Sequence, residues 1–126
     1  MNATGGYSFR KDQRLLDKAA YDRVFSKARR SRDKYFTVLA RRTDNAPARL
    51  GLAISKKHCR RATGRNRIKR LVRESFRQHQ AALDGLDLVV MNQPAAALAN
   101  NRTLSDSLAA HWIRCIDATS RPAKDD

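Results

Sequence analysis

The sequence predicts a mixed α/β domain with the element order α-β-β-α-β-α. Apolar residues recur at helical spacing in three segments, they alternate in two shorter segments, and one short run is continuously apolar. The 126 residues suit one domain with its own hydrophobic core. We expect this domain at residues 15–118, between a flexible N-terminal segment at 1–14 and a flexible tail at 119–126, because both ends are polar and aperiodic.

The first half of the domain is predicted as a short helix followed by two strands. In "DKAAYDRVFSKA", Tyr21 and Phe25 share one apolar helix face, and Asp17 is a candidate N-cap. The segment "KYFTVLARR" alternates, so Thr37 and Leu39 share one strand face. In "RLGLAISKK", large residues alternate with small ones, so one face packs and the other leaves room for something to approach.

The second half begins with a helix that is half apolar and half cationic. Thr63 is its candidate N-cap, and apolar residues from Ile68 to Leu83 follow the helical period. Asn66 and Arg70 fall opposite that stripe. The strand "LDLVVM" and the helix "NNRTLSDSLAAHWIRCI" complete the order. Because a strand, a long helix and a strand follow in succession, we expect the second and third strands to be parallel.

The charge of the chain indicates a nucleic-acid partner. The formal net charge is +15, and nineteen of the 27 basic residues are Arg, whose planar guanidinium grips phosphate in two places. A basic block with almost no internal acidic partners comprises Lys56, Lys57, Arg60, Arg61, Arg65, Arg67, Lys69, Arg70, Arg73 and Arg77. A solvated helix face usually mixes charges of both signs. The block therefore favours contact with a folded RNA backbone.

Catalytic and metal-binding groups are scarce. Glu74 is the only glutamate and lies among arginines, and we interpret His79 and His111 as core residues. The chain has neither a zinc-ligand spacing nor a phosphate-binding glycine loop. We interpret Cys59 and Cys115 as reduced thiols of a cytoplasmic protein, since no apolar run is long enough for a signal or a membrane span.

The aromatic residues near the first helix are candidates for stacking on RNA. Tyr21 suits a partly open surface on which an unpaired base can stack, with Lys56 and Lys57 beside it. Phe25 and Phe36 are equally consistent with core packing.

The segment "RLGLAISKKHCRRATGRNRIKRLVRESFR" closely resembles the signature region of the bacterial ribonuclease P protein family, whose hallmark is an Arg-Asn-Arg helix after a strand that ends in Lys-Lys. "RLL…YDRVF", "DLVVM" and "NNRTLSDSLAAHWIR" extend the resemblance over most of the chain. It implies a two-layer α/β sandwich with a left-handed βαβ crossover, against the general preference for right-handed connections. Two local departures are Tyr21, where the family usually has Phe, and Gly64, which weakens the start of the helix.

The resemblance also implies a function. The family's protein pairs with a large ribonuclease P RNA, which performs the metal-dependent cleavage that removes 5′ leaders from precursor tRNA. The implied contacts with the RNA subunit are Arg65, Asn66, Arg67, Lys69, Arg70 and Arg73. The implied leader cleft is lined by Tyr21, Phe25, Thr37, Leu39, Lys56 and Lys57. The resemblance further implies that the holoenzyme requires Mg²⁺, which is held mainly by RNA, and that the protein itself carries no catalytic residue and no metal site.

Three alternatives remain at this point. A purely structural RNA-binding protein, of the ribosomal or RNA-chaperone type, shares the charge. An autonomous nuclease would use Glu74, His79 and His111. Binding to anionic membranes would need a strongly apolar helix face that the chain lacks, so we expect no membrane partner, and no protein partner is evident.

Overall fold

The computed structural model describes residues 18–43 and 46–120, which form a four-stranded sheet with helices on both of its faces. The elements in chain order are helix α1 (Lys18–Lys27), strands β1 (Arg29–Arg32), β2 (Phe36–Arg42) and β3 (Arg49–Ala53), helix α2 (Ala62–His79), strand β4 (Leu86–Asn92), a short 3-10 helix (Pro94–Leu98) and helix α3 (Asn101–Thr119). The predicted flexible segment at 1–14 and the predicted cap Asp17 lie outside the described residues, as does most of the predicted tail.

The sheet has the strand order β1-β2-β4-β3. Strands β3 and β4 are parallel, which confirms the prediction from the strand-helix-strand succession, and the other two pairs are antiparallel. The hand of the β3-α2-β4 crossover stays a prediction. Strand β1 is an element that the sequence did not predict, because "RRSR" has no apolar alternation. It forms an edge strand held by backbone pairing to β2, and of its four residues only Ser31 is buried.

The main hydrophobic core lies between the sheet and the helices α2 and α3. Its large members from the sheet are Phe36, Val38, Leu50, Leu88 and Val90, and those from the helices are Ile68, Val72, Phe76, Leu104, Leu108 and Trp112. The Phe76 and Trp112 rings meet edge to face at 6.4 Å, and the indole N–H of Trp112 donates to Ser75 Oγ at 2.8 Å. This packing fixes which side of α2 faces outward.

Helix α1 covers part of the opposite sheet face, so a smaller cluster lies there beside the main two layers. Ala20 and Val24 pack on Leu39 and Val89. The room predicted on this face of β3 is used by α1 itself, since a Cβ at Gly51 would lie 2.8 Å from the Tyr21 ring.

The start of α2 differs from the prediction. Thr63 is not the N-cap, because the helix begins at Ala62 after an extended Arg61, and no side chain caps it. The structure also explains Gly64, at which a Cβ would lie only 2.8 Å from Cys59 Sγ. Gly64 therefore allows the buried Cys59 side chain to pack against the first turn of the helix.

The two thiols are free, as the sequence analysis predicted, and the structure shows that both are buried. Burial raises the pKa of Cys115 to about 12, against a smaller opposing effect of the Arg114 charge. Among the described helices, none is long and apolar enough to cross a lipid bilayer.

Candidate RNA-binding surface

The six predicted RNA-subunit contacts lie along the side of α2 that faces away from the core. Asn66 and Arg70 are exposed, and the flanking Arg65, Arg67, Lys69 and Arg73 are half-exposed. The buried stripe that includes Ile68 and Val72 anchors the other side of the helix. The helix thus displays a row of cations on its outward side.

Arg67 is tied to a neighbouring segment rather than extended into solvent. Its guanidinium donates to Asn101 Oδ1 at 2.6 Å, to the Ala99 carbonyl at 3.0 Å and to the Ala96 carbonyl at 3.5 Å. These bonds join α2 to the connection between the 3-10 helix and α3. Sequence reasoning missed them because the acceptors are about thirty residues away and two of them are backbone groups.

Arg65, in the first turn of α2, is bonded in a similar way to the connection that precedes the helix. One of its terminal nitrogens donates to the Cys59 carbonyl at 3.0 Å and to the Arg60 carbonyl at 2.8 Å. These bonds hold the connection on which the exposed Arg60 and Arg61 are displayed. A guanidinium has five N–H donors, so Arg65 keeps further donors for a phosphate while it shapes the loop.

The N-terminus of α2 opens onto the same surface. The first hydrogen bond of the helix runs from the Arg65 amide to the Arg61 carbonyl at 3.0 Å. Amides that precede it have no partner within a helix, and their dipoles attract anions. Because no side chain caps this end, the surface combines helix amides with the side chains of Arg60 and Arg61.

The predicted leader cleft is built from α1 and the sheet face beneath it. Tyr21 is half-buried with its ring against Gly51, and Phe25, one turn further on, is 50% exposed. Phe25 is therefore a surface aromatic residue and not a core residue. Both rings lie on the helix that forms one wall of the cleft.

The predicted floor of the cleft is less accessible than the sequence suggested. Leu39 is only 4% exposed, because α1 covers it, and it lies beneath the cleft wall. Thr37 is 5% exposed and accepts a hydrogen bond from Gln93 Nε2 at 2.8 Å. Lys56 and Lys57 are exposed in the turn after β3, at the end of the sheet where α2 begins. The structure thus brings the lysines close to the strand on which Tyr21 packs.

A buried ion pair on this sheet face was not predicted. Arg49 forms a two-pronged bond with Asp87, from Nε to Oδ1 at 2.8 Å and from Nη2 to Oδ2 at 2.7 Å. Asp87 is fully buried. Its charge is therefore matched inside the protein and does not repel an RNA that approaches the face.

His111 is a core residue, as predicted, and it takes part in a polar cluster. Arg114 Nε donates to Ser31 Oγ at 2.9 Å, which leaves the Ser31 hydroxyl to donate to His111 Nδ1 at 2.7 Å. The ring proton then resides on Nε2, which lies 3.2 Å from Asp33 Oδ1. The cluster joins β1 and the turn after it to α3.

Burial is the main reason why the pKa of His111 is lowered, against an opposing effect of Asp33, and the Arg114 charge lowers it further. Burial alone would raise the pKa of Asp33. Hydrogen bonds from Ser107 and from the Phe36 and Tyr35 amides, with a smaller contribution from His111 at 3.2 Å, outweigh that effect and lower the pKa. The imidazole is therefore neutral and structural near pH 7.

The residues of the alternative nuclease site do not come together. His111 is fully buried between α3 and β1, His79 contacts its own helix through the Ser75 carbonyl at 2.8 Å, and Glu74 is exposed. Within residues 18–43 and 46–120, no group of three or more His, Cys, Asp or Glu side chains is arranged to hold a metal ion.

Comparisons with known proteins agree on one family. A family profile described as Ribonuclease P matches residues 9–116. The ribonuclease P protein component of Methylococcus capsulatus is 46% identical over 119 residues, which cover 91% of this chain and 93% of that protein. A solved RNase P protein of Staphylococcus aureus, a mutant with defective mRNA degradation activity, superimposes with a TM-score of 0.77 at 27% identity, covering 90% of this chain and 96% of that one. The RNase P protein of Thermotoga maritima gives a TM-score of 0.71 at 28% identity, covering 80% and 96%.

Proposed function

The chain belongs to the ribonuclease P protein family, and from this premise we propose that it binds a catalytic RNA and assists that RNA in removing the 5′ leader of precursor tRNA. The observation that carries the proposal is the outward face of α2. It displays cations whose only acidic neighbour on the helix is Glu74, while the opposite side of the helix is fixed in the core.

The mechanism follows from the repulsion between two polyanions. The RNA subunit and its substrate both carry a charge on every phosphate, so their association is opposed until cations are placed near the contact. Arg60, Arg61, Lys69 and Arg70 supply such groups without internal ion pairs in the described part of the chain, and Asn66 adds a neutral donor and acceptor beside them. If six phosphates are contacted, the affinity falls by roughly three orders of magnitude between about 50 and 200 mM salt.

Substrate discrimination is assigned to the surface beside α1. Mature tRNA has no leader, so any contact with the leader favours substrate over product. The exposed Phe25 ring and the half-buried Tyr21 ring are sequence-tolerant stacking groups for unpaired bases. Lys56 and Lys57, both exposed after β3, are the proposed contacts for the adjoining phosphates.

Mg²⁺ enters the proposal as a requirement of the holoenzyme and is assigned mainly to RNA phosphates. The described side chains of this protein do not supply a ligand set for it. The protein's own contribution is to bind, orient and neutralise. The cytoplasm is the proposed site of action, and the free thiols Cys59 and Cys115 are consistent with a reducing compartment.

The direct test is single-turnover cleavage of a precursor tRNA at low Mg²⁺. The protein alone, a bacterial ribonuclease P RNA alone and the two together are compared. We expect correct 5′ cleavage only with both, or much faster cleavage with both. Binding without any effect on cleavage would indicate a purely structural RNA-binding protein, and cleavage by the protein alone would return the chemistry to this chain.

The assignment of Tyr21 has its own test. Tyr21→Ala is expected to weaken binding of precursor tRNA more than binding of mature tRNA, because only the precursor has a leader that can contact Tyr21. Tyr21→Phe is the matched control, since it keeps the ring that packs on Gly51 and removes only the hydroxyl. Equal losses for both RNAs with Tyr21→Ala would contradict the assignment.

A further inference from the structure

Strand β1 places two arginines on the same sheet face as α1. In its antiparallel register with β2, Arg30 lies opposite Leu39, and Arg32 lies opposite Thr37. Residues directly opposite each other in such a pair point to the same side of the sheet. Leu39 packs under α1, so both arginines share the face of the leader cleft. Both are exposed.

The register also shows what connects these arginines to the rest of the cleft. Arg32, Thr37, Met91 and Ala53 form one row across the four strands. The row ends at β3, and Lys56 follows three residues beyond Ala53. With strands spaced at about 4.8 Å, the row is roughly 14 Å wide. Between cations at both ends, the row presents the half-buried Met91 and Ala53, while Thr37 is buried.

The β1 end of the row carries a net positive charge. Lys34 is exposed in the turn after β1, with its ammonium 5.3 Å from the Tyr35 ring centre. The nearby Asp33 is held by Ser107 Oγ at 2.6 Å and by the Tyr35 and Phe36 amides. In the described part of the chain, neither Arg30 nor Arg32 forms an ion pair. A merely solvated patch would normally mix charges of both signs.

We propose that Arg30 and Arg32 form a second phosphate-binding site, which holds the distal part of a single-stranded leader after it has crossed the sheet from the Tyr21 side. The arrangement favours a single strand, because bases can stack on the α1 rings at one side while cations at both ends of the row hold phosphates. The inference rests on the proposed function, since it concerns the same leader. The second site would make the affinity for precursor tRNA depend on leader length, because a short leader does not reach the far edge of the sheet.

The test uses the holoenzyme and precursor tRNAs that differ only in leader length, at about two, five and ten nucleotides, which run from below to within the site sizes of single-strand binders. Dissociation constants are measured for the wild type and for the double variant Arg30→Ala/Arg32→Ala. We expect equal affinity for the shortest leader. For the longest leader, the variant should lack the gain in affinity that the wild type shows. Its salt dependence should also be shallower, by about 1.4 in the slope of log affinity against log salt if two single-strand contacts are lost.

Two further variants keep the result interpretable. Arg30→Lys/Arg32→Lys retains both charges and should restore the length-dependent gain, which separates a charge effect from damage to β1. Arg60→Ala/Arg61→Ala removes the same number of charges at the α2 surface, and any loss should be the same at every leader length.

The outcomes separate the inference from the function on which it rests. If the wild type gains affinity with leader length and the alanine variant gains as much, the second site is refuted while the leader cleft stands. If the wild type itself shows no preference for a leader, the proposed cleft fails first. A loss in the alanine variant that is equal at all lengths would also overturn the second site.

Discussion

Arg67→Ala is expected to destabilise the isolated protein, before any RNA is added. The Arg67 guanidinium joins α2 to the segment before α3 through bonds of 2.6 Å to Asn101 and 3.0 Å to Ala99, with a weaker one of 3.5 Å to Ala96. Removing the side chain leaves these acceptors without their donor. Arg70 is exposed one turn away and makes no such bond in the described structure, so Arg70→Ala is the matched control.

The size of the effect follows from the two shorter bonds. Hydrogen bonds to a charged group contribute about 1.5 to 3 kcal/mol each when buried, and these are partly exposed. The ordering of a long side chain offsets part of the gain. We therefore expect a loss of about 2 kcal/mol for Arg67→Ala, or a fall in Tm of roughly 8 °C for a domain of this size. For Arg70→Ala, the change should stay within about 0.5 kcal/mol.

The assay is urea unfolding of the free protein, followed by titration of the RNA subunit. Arg67→Lys adds a decisive comparison, since lysine keeps the charge for a phosphate but not the fork that reaches several carbonyls. We expect Arg67→Lys to be nearly as unstable as Arg67→Ala. If both Arg67 variants are as stable as Arg70→Ala, the bonds do not form in solution, and Arg67 is available to RNA as a simple phosphate contact.

Two other predictions concern the interior. Gly64→Ala should destabilise the protein by about 1 to 2 kcal/mol despite the better helix propensity of alanine, because its Cβ would lie 2.8 Å from Cys59 Sγ. In urea unfolding, the double variant Cys59→Ala/Gly64→Ala should be more stable than the sum of the two single changes predicts. Strict additivity of the two changes would contradict the contact. The lowered pKa of His111 means that the folded state resists a proton that the unfolded state takes up below about pH 6.5, so this contribution to stability is full above that pH and is lost as the pH falls. The free energy of unfolding of the wild type should therefore fall more steeply between pH 7 and 5.5 than that of His111→Gln, by up to about 1.4 kcal/mol per pH unit, and parallel pH profiles would refute the assignment.

The helices and the inner strands were predictable because their burial is periodic. Phe36, Val38 and Ala40 all belong to the main core, while Leu39, between them, packs under α1, as alternation requires. Strand β1 was not predictable in this way. Its stability comes from backbone pairing to β2 and from the contacts of Ser31 with α3, and neither leaves an apolar signal in four residues of which three are arginine.

The candidate site was predictable as a surface but not residue by residue. The cations of α2 follow from their position opposite a buried stripe, and the structure agrees. Leu39 was assigned to an open face because alternation gives the side of a strand and not what covers it, and α1 lies on that side. Phe25, in contrast, is exposed although its position in the apolar helical stripe was consistent with core packing. An aromatic residue in such a stripe has the same sequence pattern whether or not the last turn of the helix reaches the sheet.

Charge counted along the chain also does not show which cations have donors available for a ligand. In the basic block, Arg65 and Arg67 use part of their donors on backbone carbonyls, so the α2 surface offers fewer unconstrained phosphate contacts than its six polar residues suggest. Outside that block, Arg30 and Arg32 are exposed on the cleft side of an edge strand. A cation contributes to binding only if its donors are not already used and if its strand register points it at the ligand. Both conditions depend on contacts distant in sequence, and for that reason the positive charge of this chain predicts an RNA partner more securely than it predicts which arginines touch it.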